Sequence, residues 1–377
     1  MADSLSELRG QIDAIDAQLI QLLVERARLT ARVGQVKEAE GLPLYAPERE
    51  AALLARRREQ AAEAGLAPEL IEDLLRRVMR DSYASQEGSF SATGDAGRPV
   101  VIVGGAGQLG RLFASFFERS GYPVRILEVE DWPEAAGRVA GAGLVLVAVP
   151  IDRTLEVIER LPPLPPDCVL ADLTSVKRAP LSAMLAAHAG PVVGLHPMFG
   201  PDVRSLAKQV VVVCEGREPG ACRWLLDQLA LWGAVLRKEA PEGHDRAMEL
   251  IQAMRHFTTL IYGAFLARQQ ADLDELQRLS SPIYRLELAM VGRLFAQSPD
   301  LYADIILSAS GLPALLEAYR ETLDGLLTLV REGSREAIIE RFDTVADYFG
   351  ELAPALLRES GALLRTAHDA RDPGDSP

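Results

Sequence analysis

The spacing of apolar residues predicts that roughly the first 80 residues are entirely helical. Apolar side chains recur there every three or four positions, which is the period of one helix face. Three helices are expected, running from Ser4 or Ser6 to about Lys37, from Pro47 to Arg58 or Ala64, and from Glu69 to Ser85. The first would be about 50 Å long, more than a domain of this size covers, so we expect it to pair with a copy of itself.

A different pattern begins at Pro99, where short apolar runs alternate with helical segments. This alternation is typical of a parallel sheet covered by helices, and the stretch from Lys208 to Cys214 is expected to be its last strand. From about His244 the chain is helical again. A long apolar helix from Met248 to Arg268 suits a dimer core, and a last helix is expected from Arg335 to His368.

The predicted fold class is therefore multidomain. An all-α domain with three helices precedes an α/β domain with a parallel sheet and an all-α C-terminal domain. Residues 86–98 lack periodicity, which is typical of a linker. The expected division is 1–90 for the first domain, 91–98 for the linker, 99–243 for the α/β domain and 244–377 for the C-terminal domain.

Charge and cysteine content narrow the choice of partners. The 377 residues include 54 acidic and 40 basic side chains, a net charge of −14, which argues against nucleic acids and anionic membranes. An anionic small molecule would need local cations. Cys168, Cys214 and Cys222 have no metal-ligand spacing, so no metal is expected. The N-terminus lacks an export signal and the longest apolar run is too short to cross a bilayer, so a cytoplasmic protein is predicted.

A glycine-rich turn after the first predicted strand is the most specific motif. The run Val100–Val103 leads into Gly-x-Gly-x-x-Gly, a helix follows, and a second strand ends on Glu128. This order predicts a dinucleotide site in which the glycines allow close approach of a pyrophosphate. Glu128 would bind a ribose hydroxyl and repel a 2′-phosphate, which favours NAD over NADP. The alternative is a glycine-rich turn in an unrelated α/β domain. The predicted cofactor-binding residues in this turn are Gly104, Gly105, Ala106, Gly107, Gln108, Leu109 and Gly110.

Polar residues follow several predicted strands, and the carboxyl ends of parallel strands form the ligand crevice. Pro150, Thr174, Ser175 and Lys177 are therefore expected to face that crevice, the first two as further cofactor-binding residues. His196 follows another strand and precedes a proline. From its position it is either a structural hydrogen-bonding residue or a catalytic one. His188, on a helical segment with polar neighbours, is expected to be exposed.

The first part of the chain resembles the all-α chorismate mutase family. The matching residues are Leu8-Arg9, Glu25-Arg26, Val36-Lys37, Pro47-Glu48-Arg49-Glu50 and Asp81-Ser82 through Gln86. The resemblance implies that Arg9 from the partner chain joins three cations in binding the substrate carboxylates and ether oxygen. It also implies that a carboxylate takes the hydroxyl and that two polar residues complete the pocket. The three cations are Arg26, Lys37 and Arg49, the carboxylate is Glu50, and the two polar residues are Ser82 and Gln86.

Residues 98–368 resemble prephenate dehydrogenase. The motifs are Val-Ile-Val-Gly-Gly-x-Gly-Gln-x-Gly-Arg at 101–111, Asp-Leu-Thr-Ser-Val-Lys at 172–177, Gly-Leu-His-Pro-Met-Phe-Gly-Pro at 194–201, Arg-His-Phe at 255–257 and a long match at 281–296. The resemblance implies that His196 accepts a hydrogen bond from the substrate 4-hydroxyl and that Arg293 binds a prephenate carboxylate. Accessory or positioning roles are implied for Ser175, Lys177, His256 and Arg285.

The whole chain thus resembles the bifunctional chorismate mutase/prephenate dehydrogenases of bacterial tyrosine synthesis. The resemblance implies rearrangement of chorismate to prephenate, then NAD-dependent oxidative decarboxylation of prephenate to 4-hydroxyphenylpyruvate. It implies an intertwined dimer of the three mutase helices, an α/β Rossmann-type NAD domain and an all-α C-terminal dimerisation domain. It also implies a homodimer with tyrosine as feedback inhibitor. Two alternatives stay open. The N-terminal helices could form a non-catalytic dimerisation or tyrosine-sensing module, and the dehydrogenase could prefer arogenate or NADP.

Overall fold

The computed structural model describes residues 4–85 and 89–369, and the chain divides into two compact units, residues 1–244 and 245–377. The first unit begins with three helices, α1 (Leu5–Ala39), α2 (Pro47–Glu63) and α3 (Pro68–Ser85). Ser4 caps α1 by accepting from the Glu7 amide at 3.2 Å, while the Glu7 carboxylate accepts from the Ser4 amide at 2.7 Å. This reciprocal capping box fixes the helix start at the first of the two predicted serines.

Helix α1 presents its apolar face to solvent in the single chain. Helices α2 and α3 pack against each other and bury Leu54, Ala61 and Met79, whereas no residue of α1 is buried. Ile12 is 56% exposed and Ile15 is 62% exposed. Burying such side chains stabilises a helix by a few kcal/mol each, about 1.5–3 for an aliphatic residue. The face therefore suits the predicted pairing with a second copy, which stays a prediction.

A seven-stranded sheet with flanking helices forms the rest of the first unit. Its strands lie in the order β2-β1-β3-β4-β5-β6-β7, and β1 to β5 are parallel. The strands are β1 (Val100–Val103), β2 (Val124–Leu127), β3 (Leu144–Val147), β4 (Val169–Asp172), β5 (Val192–Pro197), β6 (Val210–Glu215) and β7 (Val235–Lys238). The helices are α4 (Gln108–Arg119), α5 (Ala135–Val139), α6 (Ile151–Arg160), α7 (Arg178–Ala187) and α8 (Arg223–Leu231). Helix α9 (Pro241–Met248) begins in this unit and ends in the second. A 3₁₀ segment, Val129–Glu134, precedes α5.

Two features of the sheet differ from the prediction. Strand β6 runs antiparallel to β5, with His196 opposite Val212, and β7 follows it in parallel. The expectation that the stretch to Cys214 is the last strand is therefore wrong. Strand β7 has two partly buried apolar residues followed by two exposed cations, so its sequence lacks the apolar run by which the equally short strands β1, β3 and β4 were recognised.

The predicted linker is packed against the α/β core over residues 89–98. The Thr93 amide donates to Oε1 of the fully buried Gln228 at 3.0 Å, and its hydroxyl donates to the Trp224 carbonyl at 2.7 Å. The Gly94 amide donates to the Tyr122 hydroxyl at 2.8 Å. Phe90 lies against Phe116, with ring centroids 6.1 Å apart. This segment therefore belongs to the sheet domain's interior packing and is not a loose tether.

The second unit is helical throughout the part that the structure describes. Its helices are α10 (Arg255–Arg268), α11 (Leu273–Leu279), α12 (Pro282–Phe295), α13 (Pro299–Ser308), α14 (Leu312–Glu332), α15 (Arg335–Phe349) and α16 (Leu352–Asp369). A π-helical segment, Glu249–Met254, precedes α10. The single final helix predicted from Arg335 is wrong, because Gly350 takes a φ of +48° and divides it into two.

Within residues 4–85 and 89–369, no single helix is both long and apolar enough to cross a membrane. The pair α13 and α14 meets the length and composition test only when the two are joined across their 90° bend.

Candidate active sites

The glycine-rich turn between β1 and α4 is shaped to receive a phosphate group. Gly104 takes a φ of +78° directly after the strand, a left-handed conformation that favours glycine and makes the tight turn possible. A Cβ on Gly110 would lie 2.6 Å from the Gly104 carbonyl oxygen, and this packing brings α4 close to β1. Helix α4 starts at Gly107 without a side-chain cap or an acidic residue in its first turn. Its first amides can therefore bind an anion, and the turn fits a dinucleotide.

Glu128 lies immediately after β2 and contacts the same turn. Its Oε1 accepts from the Ala106 amide at 2.7 Å, and its own amide donates to Asp131 at 3.0 Å. The carboxylate is thus held beside the glycine turn, which is the place expected for an acid that binds a ribose. Pro150 is exposed at the end of β3 and caps α6. Thr174 is buried, and its hydroxyl donates to the Val176 carbonyl at 2.8 Å and to Asp172. That hydroxyl stabilises a turn.

Two buried histidines meet at the carboxyl end of β5. His196 Nδ1 lies 2.8 Å from His244 Nε2, and the rings are 5.0 Å apart in an edge-on arrangement. His196 is 2% exposed and His244 is 1% exposed, so water does not compete for this hydrogen bond. The sequence analysis did not identify His244 as a site residue. It lies 48 positions from His196, and nothing in its local sequence marks it.

Lys177 does not face the crevice, contrary to expectation. Its side chain is fully buried and its amine donates to Asp172 and to the Leu195 carbonyl, the latter at 2.7 Å. A buried lysine needs such a charged partner. Because Leu195 directly precedes His196, the bonded amine fixes β5 beside the catalytic candidate, which supports positioning and not substrate contact. Ser175 is half-buried in the same turn.

The mutase candidates form two groups on the first three helices. Arg26 Nη1 donates to Ser82 Oγ at 3.0 Å. Lys37 donates to the carbonyls of Pro43 and Leu44 at 3.0 and 2.9 Å, and burial followed by the charge of Arg49 lowers the pKa of Lys37. A lysine whose charged form is disfavoured by burial and by a neighbouring cation would be stabilised by an anionic ligand. Arg9 and Arg49 are exposed. Gln86 lies outside the described residues.

Glu50 has a different environment from the other mutase candidates. It is 7% exposed. Its Oε2 accepts from the Tyr83 hydroxyl at 3.1 Å, and its Oε1 accepts from Lys208, a residue of the sheet domain. Arg76 lies 3.7 Å from the same oxygen. Burial, and then the Glu50 charge, raises the pKa of Tyr83, so its hydroxyl stays protonated and donates.

The remaining candidates lie in the second unit. The His256 ring packs on Tyr302 with centroids 4.7 Å apart, and Nδ1 is 3.2 Å from Arg255 Nη1. Burial, followed by the Arg255 charge, lowers the pKa of His256 to about 4. Arg285 lines a largely apolar cavity of about 510 Å³. Arg293 is an exposed residue of α12.

Together, the glycine turn, the acid after β2 and the buried histidine pair define a nucleotide-dependent dehydrogenase that follows an N-terminal helical domain rich in cations. Family models agree with each part. Residues 8–87 match chorismate mutase type II, 125–236 match the nucleotide-binding domain of prephenate dehydrogenase, and 240–344 match its dimerization domain.

Full-length relatives identify the family. The chain is 54% identical to the T-protein of Enterobacter agglomerans over 98% of this chain and 100% of the relative. It is 50% identical to the T-protein of Haemophilus influenzae over 98% of each. The chain belongs to the T-protein family and combines a chorismate mutase with a prephenate dehydrogenase of tyrosine biosynthesis.

Solved structures support the dehydrogenase fold. A prephenate dehydrogenase from A. aeolicus, determined with hydroxyphenyl propionate and NAD+, aligns with a TM-score of 0.50 at 19% identity over 67% of this chain and 96% of that one. An arogenate dehydrogenase from Synechocystis aligns with a TM-score of 0.50 at 20% identity over 67% of this chain and all of that one.

Proposed function

We propose that His196 is the base of the dehydrogenase reaction and that His244 selects its tautomer. The observation that carries this proposal is the buried 2.8 Å contact between His196 Nδ1 and His244 Nε2. If His196 donates its Nδ1 hydrogen to His244, its lone pair is on Nε2 and can accept a proton. The reverse arrangement would place a hydrogen on Nε2 and abolish base function.

With His196 as base and NAD as hydride acceptor, the reaction needs no other reactant. His196 takes the 4-hydroxyl proton of prephenate as the hydride leaves C4. Bound NAD supplies the acceptor for that hydride. The ring carboxylate departs as carbon dioxide, its electron pair aromatises the ring, and His196 returns the proton to the resulting phenolate oxygen. Asp172 and Lys177 contribute by fixing β5 behind His196.

NAD, and not NADP, is the proposed cofactor. The Glu128 carboxylate is held at the glycine turn through the Ala106 amide, where it would accept from a ribose hydroxyl and repel a 2′-phosphate. Prephenate is the proposed substrate in preference to arogenate, because the full-length relatives are T-proteins. Ser175, His256, Arg285 and Arg293 stay predicted accessory or substrate-binding residues.

For the mutase reaction, the proposal is that cations fold and hold the chorismate dianion. Arg26, Lys37 and Arg49 of one chain and Arg9 of its partner would bind the carboxylates and the ether oxygen, and Glu50 would take the hydroxyl. Ser82 holds Arg26. The rearrangement is pericyclic, so it needs conformational restriction and donors at the ether oxygen but no nucleophile. Gln86 is proposed only from the family motif.

A coupled assay tests the two activities together. Chorismate and NAD should yield NADH and 4-hydroxyphenylpyruvate. Arg26→Ala should abolish NADH formation from chorismate while leaving NADH formation from added prephenate unchanged. Unchanged chorismate consumption in this variant would remove Arg26 from the proposed site, whereas an unmodified enzyme that consumes no chorismate would support the non-catalytic N-terminal module. Arogenate offered in place of prephenate tests the second alternative.

The assembly and its regulation complete the proposal. The match to a dimerization domain suggests a homodimer, and the apolar face of α1 suits a second contact between the same two chains. Tyrosine is proposed as feedback inhibitor, to be tested by adding it to the coupled assay. A cytoplasmic location is supported by Cys168, Cys214 and Cys222, which are buried cysteines of the kind found in a reducing compartment.

A further inference from the structure

The Lys208 side chain reaches from the sheet domain into the mutase helices. Its amine donates to Glu50 Oε1 and lies 5.4 Å from the centre of the Tyr45 ring. The same carboxylate accepts from Tyr83 through its other oxygen at 3.1 Å. Lys208 and Tyr83 therefore fix both oxygens of a buried carboxylate, so the plane of the Glu50 side chain is determined by residues from two domains.

The backbone at Lys208 has a conformation that lysine rarely adopts. Its φ is +68°, in the left-handed region where glycine and asparagine are favoured. The Lys208 amide donates to the Gly233 carbonyl at 3.0 Å, which holds this conformation. A strained residue persists only where its surroundings determine it, and such residues cluster at functional sites. The strain places the lysine amine at Glu50.

The segment that carries Lys208 begins at the dehydrogenase base. Strand β5 ends at Pro197, directly after His196, and β6 begins at Val210. Because β6 is antiparallel to β5, residues 198–209 turn back at the carboxyl edge of the sheet. One loop therefore runs from His196 at its start to the Glu50 contact near its end.

We propose that Lys208 of the dehydrogenase domain is a positioning residue for the mutase reaction, acting by holding the Glu50 carboxylate in the orientation that accepts the chorismate hydroxyl. This inference rests on the proposed role of Glu50. The mutase site would then include a residue that the mutase helices do not carry, and the helices alone would form an incomplete site.

The test uses full-length variants with two separate assays, chorismate consumption and NADH formation from added prephenate. Lys208→Met should lower the mutase kcat by about 10-fold or more, because small misplacements of a positioned group carry large costs. Dehydrogenase activity should be unchanged, which also reports folding. Lys208→Arg should restore part of the mutase activity. Lys238→Met is the matched control, since Lys238 forms an exposed ion pair with Glu215 in the same domain.

A double-mutant comparison separates this role from a merely structural one. If Lys208 acts through Glu50, Lys208→Met should cause no further loss in a Glu50→Gln background. Lys208→Gly removes the amine and relieves the left-handed strain, so it should remain folded and still lose mutase activity. If Glu50→Gln keeps full mutase activity, the proposed role of Glu50 fails. If only Glu50→Gln is impaired, or if Lys208→Met raises mutase activity, the inference about Lys208 is overturned.

Discussion

At the scale of single residues, burial and tautomer decide which polar groups carry chemistry. The position of His196 at the end of a strand left its role open, and the buried contact with His244 supports the base role proposed for it. His188 was expected on the surface and is instead buried, where it bonds to the Cys168 carbonyl at 2.7 Å. His196 and His188 contact partners that lie 48 and 20 positions away along the chain. Local sequence patterns do not reveal such distant contacts.

Replacement of the two histidines should separate base from orienting group. His196→Asn should lower dehydrogenase turnover by roughly 10²–10⁴-fold, the usual contribution of a general base. His244→Ala should cost less, roughly 10–100-fold, because the base keeps its place but loses the acceptor that selects its tautomer. His244→Gln, whose amide oxygen can replace Nε2 as acceptor, should retain more activity than His244→Ala. Near-normal turnover of His196→Asn in a prephenate-dependent NADH assay would remove His196 from the base role.

Glu128 should control the choice between the two nicotinamide cofactors. Glu128→Ala should raise kcat/KM with NADP relative to NAD by about 10-fold or more, since a single charge contact is worth one to a few kcal/mol. The KM for NAD should also rise, because the Ala106 amide loses its acceptor. Glu130→Ala, which removes an exposed acid two residues further on, serves as control. Equal use of both cofactors by the unmodified enzyme would contradict the proposed role.

His256 should make folding stability depend on pH in a defined window. Its pKa in the folded chain is lowered to about 4 by burial and then by Arg255, from an ordinary value of 6.5. Below about pH 6.5, His256 is therefore protonated in the unfolded chain but not in the folded chain. The free energy of unfolding is highest above that pH and decreases as the pH falls toward 4. Between pH 7.5 and 5.5, the unfolding midpoint should fall further for the unmodified protein than for His256→Gln. If the unfolding midpoints of the two proteins fell equally with pH, the pKa of His256 would not be lowered in the folded chain.

At the scale of elements, those with a clear apolar pattern or terminal signal were predictable, and those without one were not. The start of α1 at one of two serines and the start of α2 at Pro47 follow from local chemistry, and the structure has them at the expected residues. Strand β7 was missed because the second half of its four residues consists of two exposed cations, which leaves no apolar run to recognise. The break at Gly350 was missed because the apolar spacing continues through it, and only the φ of +48° reveals the turn.

Gly110 should be intolerant of any side chain. A Cβ there would lie 2.6 Å from the Gly104 carbonyl oxygen and 2.7 Å from the Gly105 Cα, so α4 would have to move away from the turn. Gly110→Ala should weaken NAD binding by about 10-fold or more through loss of the aligned amides, with mutase activity preserved. Gly137→Ala is the matched control, because a Cβ at that helical glycine meets nothing within 4 Å. Titration of NAD by fluorescence measures both, and equal affinities would exclude this account of the turn.

At the scale of the whole molecule, the exposed apolar face of α1 supports the proposal that one chain alone is an incomplete mutase. The structure shows its apolar residues uncovered, and the sequence had already suggested that a helix of this length pairs with a copy. The residues that would contribute to the partner chain's site could be inferred only from the family motif, because the sequence of one chain does not show which residues contact its partner.

Mixed dimers test whether Arg9 acts across the two chains. Arg9→Ala and Arg26→Ala dimers should each lack mutase activity. Co-produced in equal amounts, they should recover about a quarter of the normal specific activity, since half of the dimers are mixed and each has one intact site. Recovery requires that one site combines residues of both chains. If the mixture stays inactive while mixed dimers are shown by mass spectrometry, Arg9 does not contribute in trans.

The packed segment at residues 89–98 also determines where the two halves of the enzyme can be cut apart. A dehydrogenase fragment beginning at residue 99 would leave Gln228 without Thr93 and without the Ser91 carbonyl, to which its amide donates at 3.3 Å. Each buried polar group left unpaired costs about 1–3 kcal/mol, and the face of Trp224 that Gly94 covers would be exposed to water. A dehydrogenase fragment that begins before residue 89 should therefore fold, and one that begins after it should not. The same boundary should apply to proteolytic cleavage and to exchange of the mutase half between relatives.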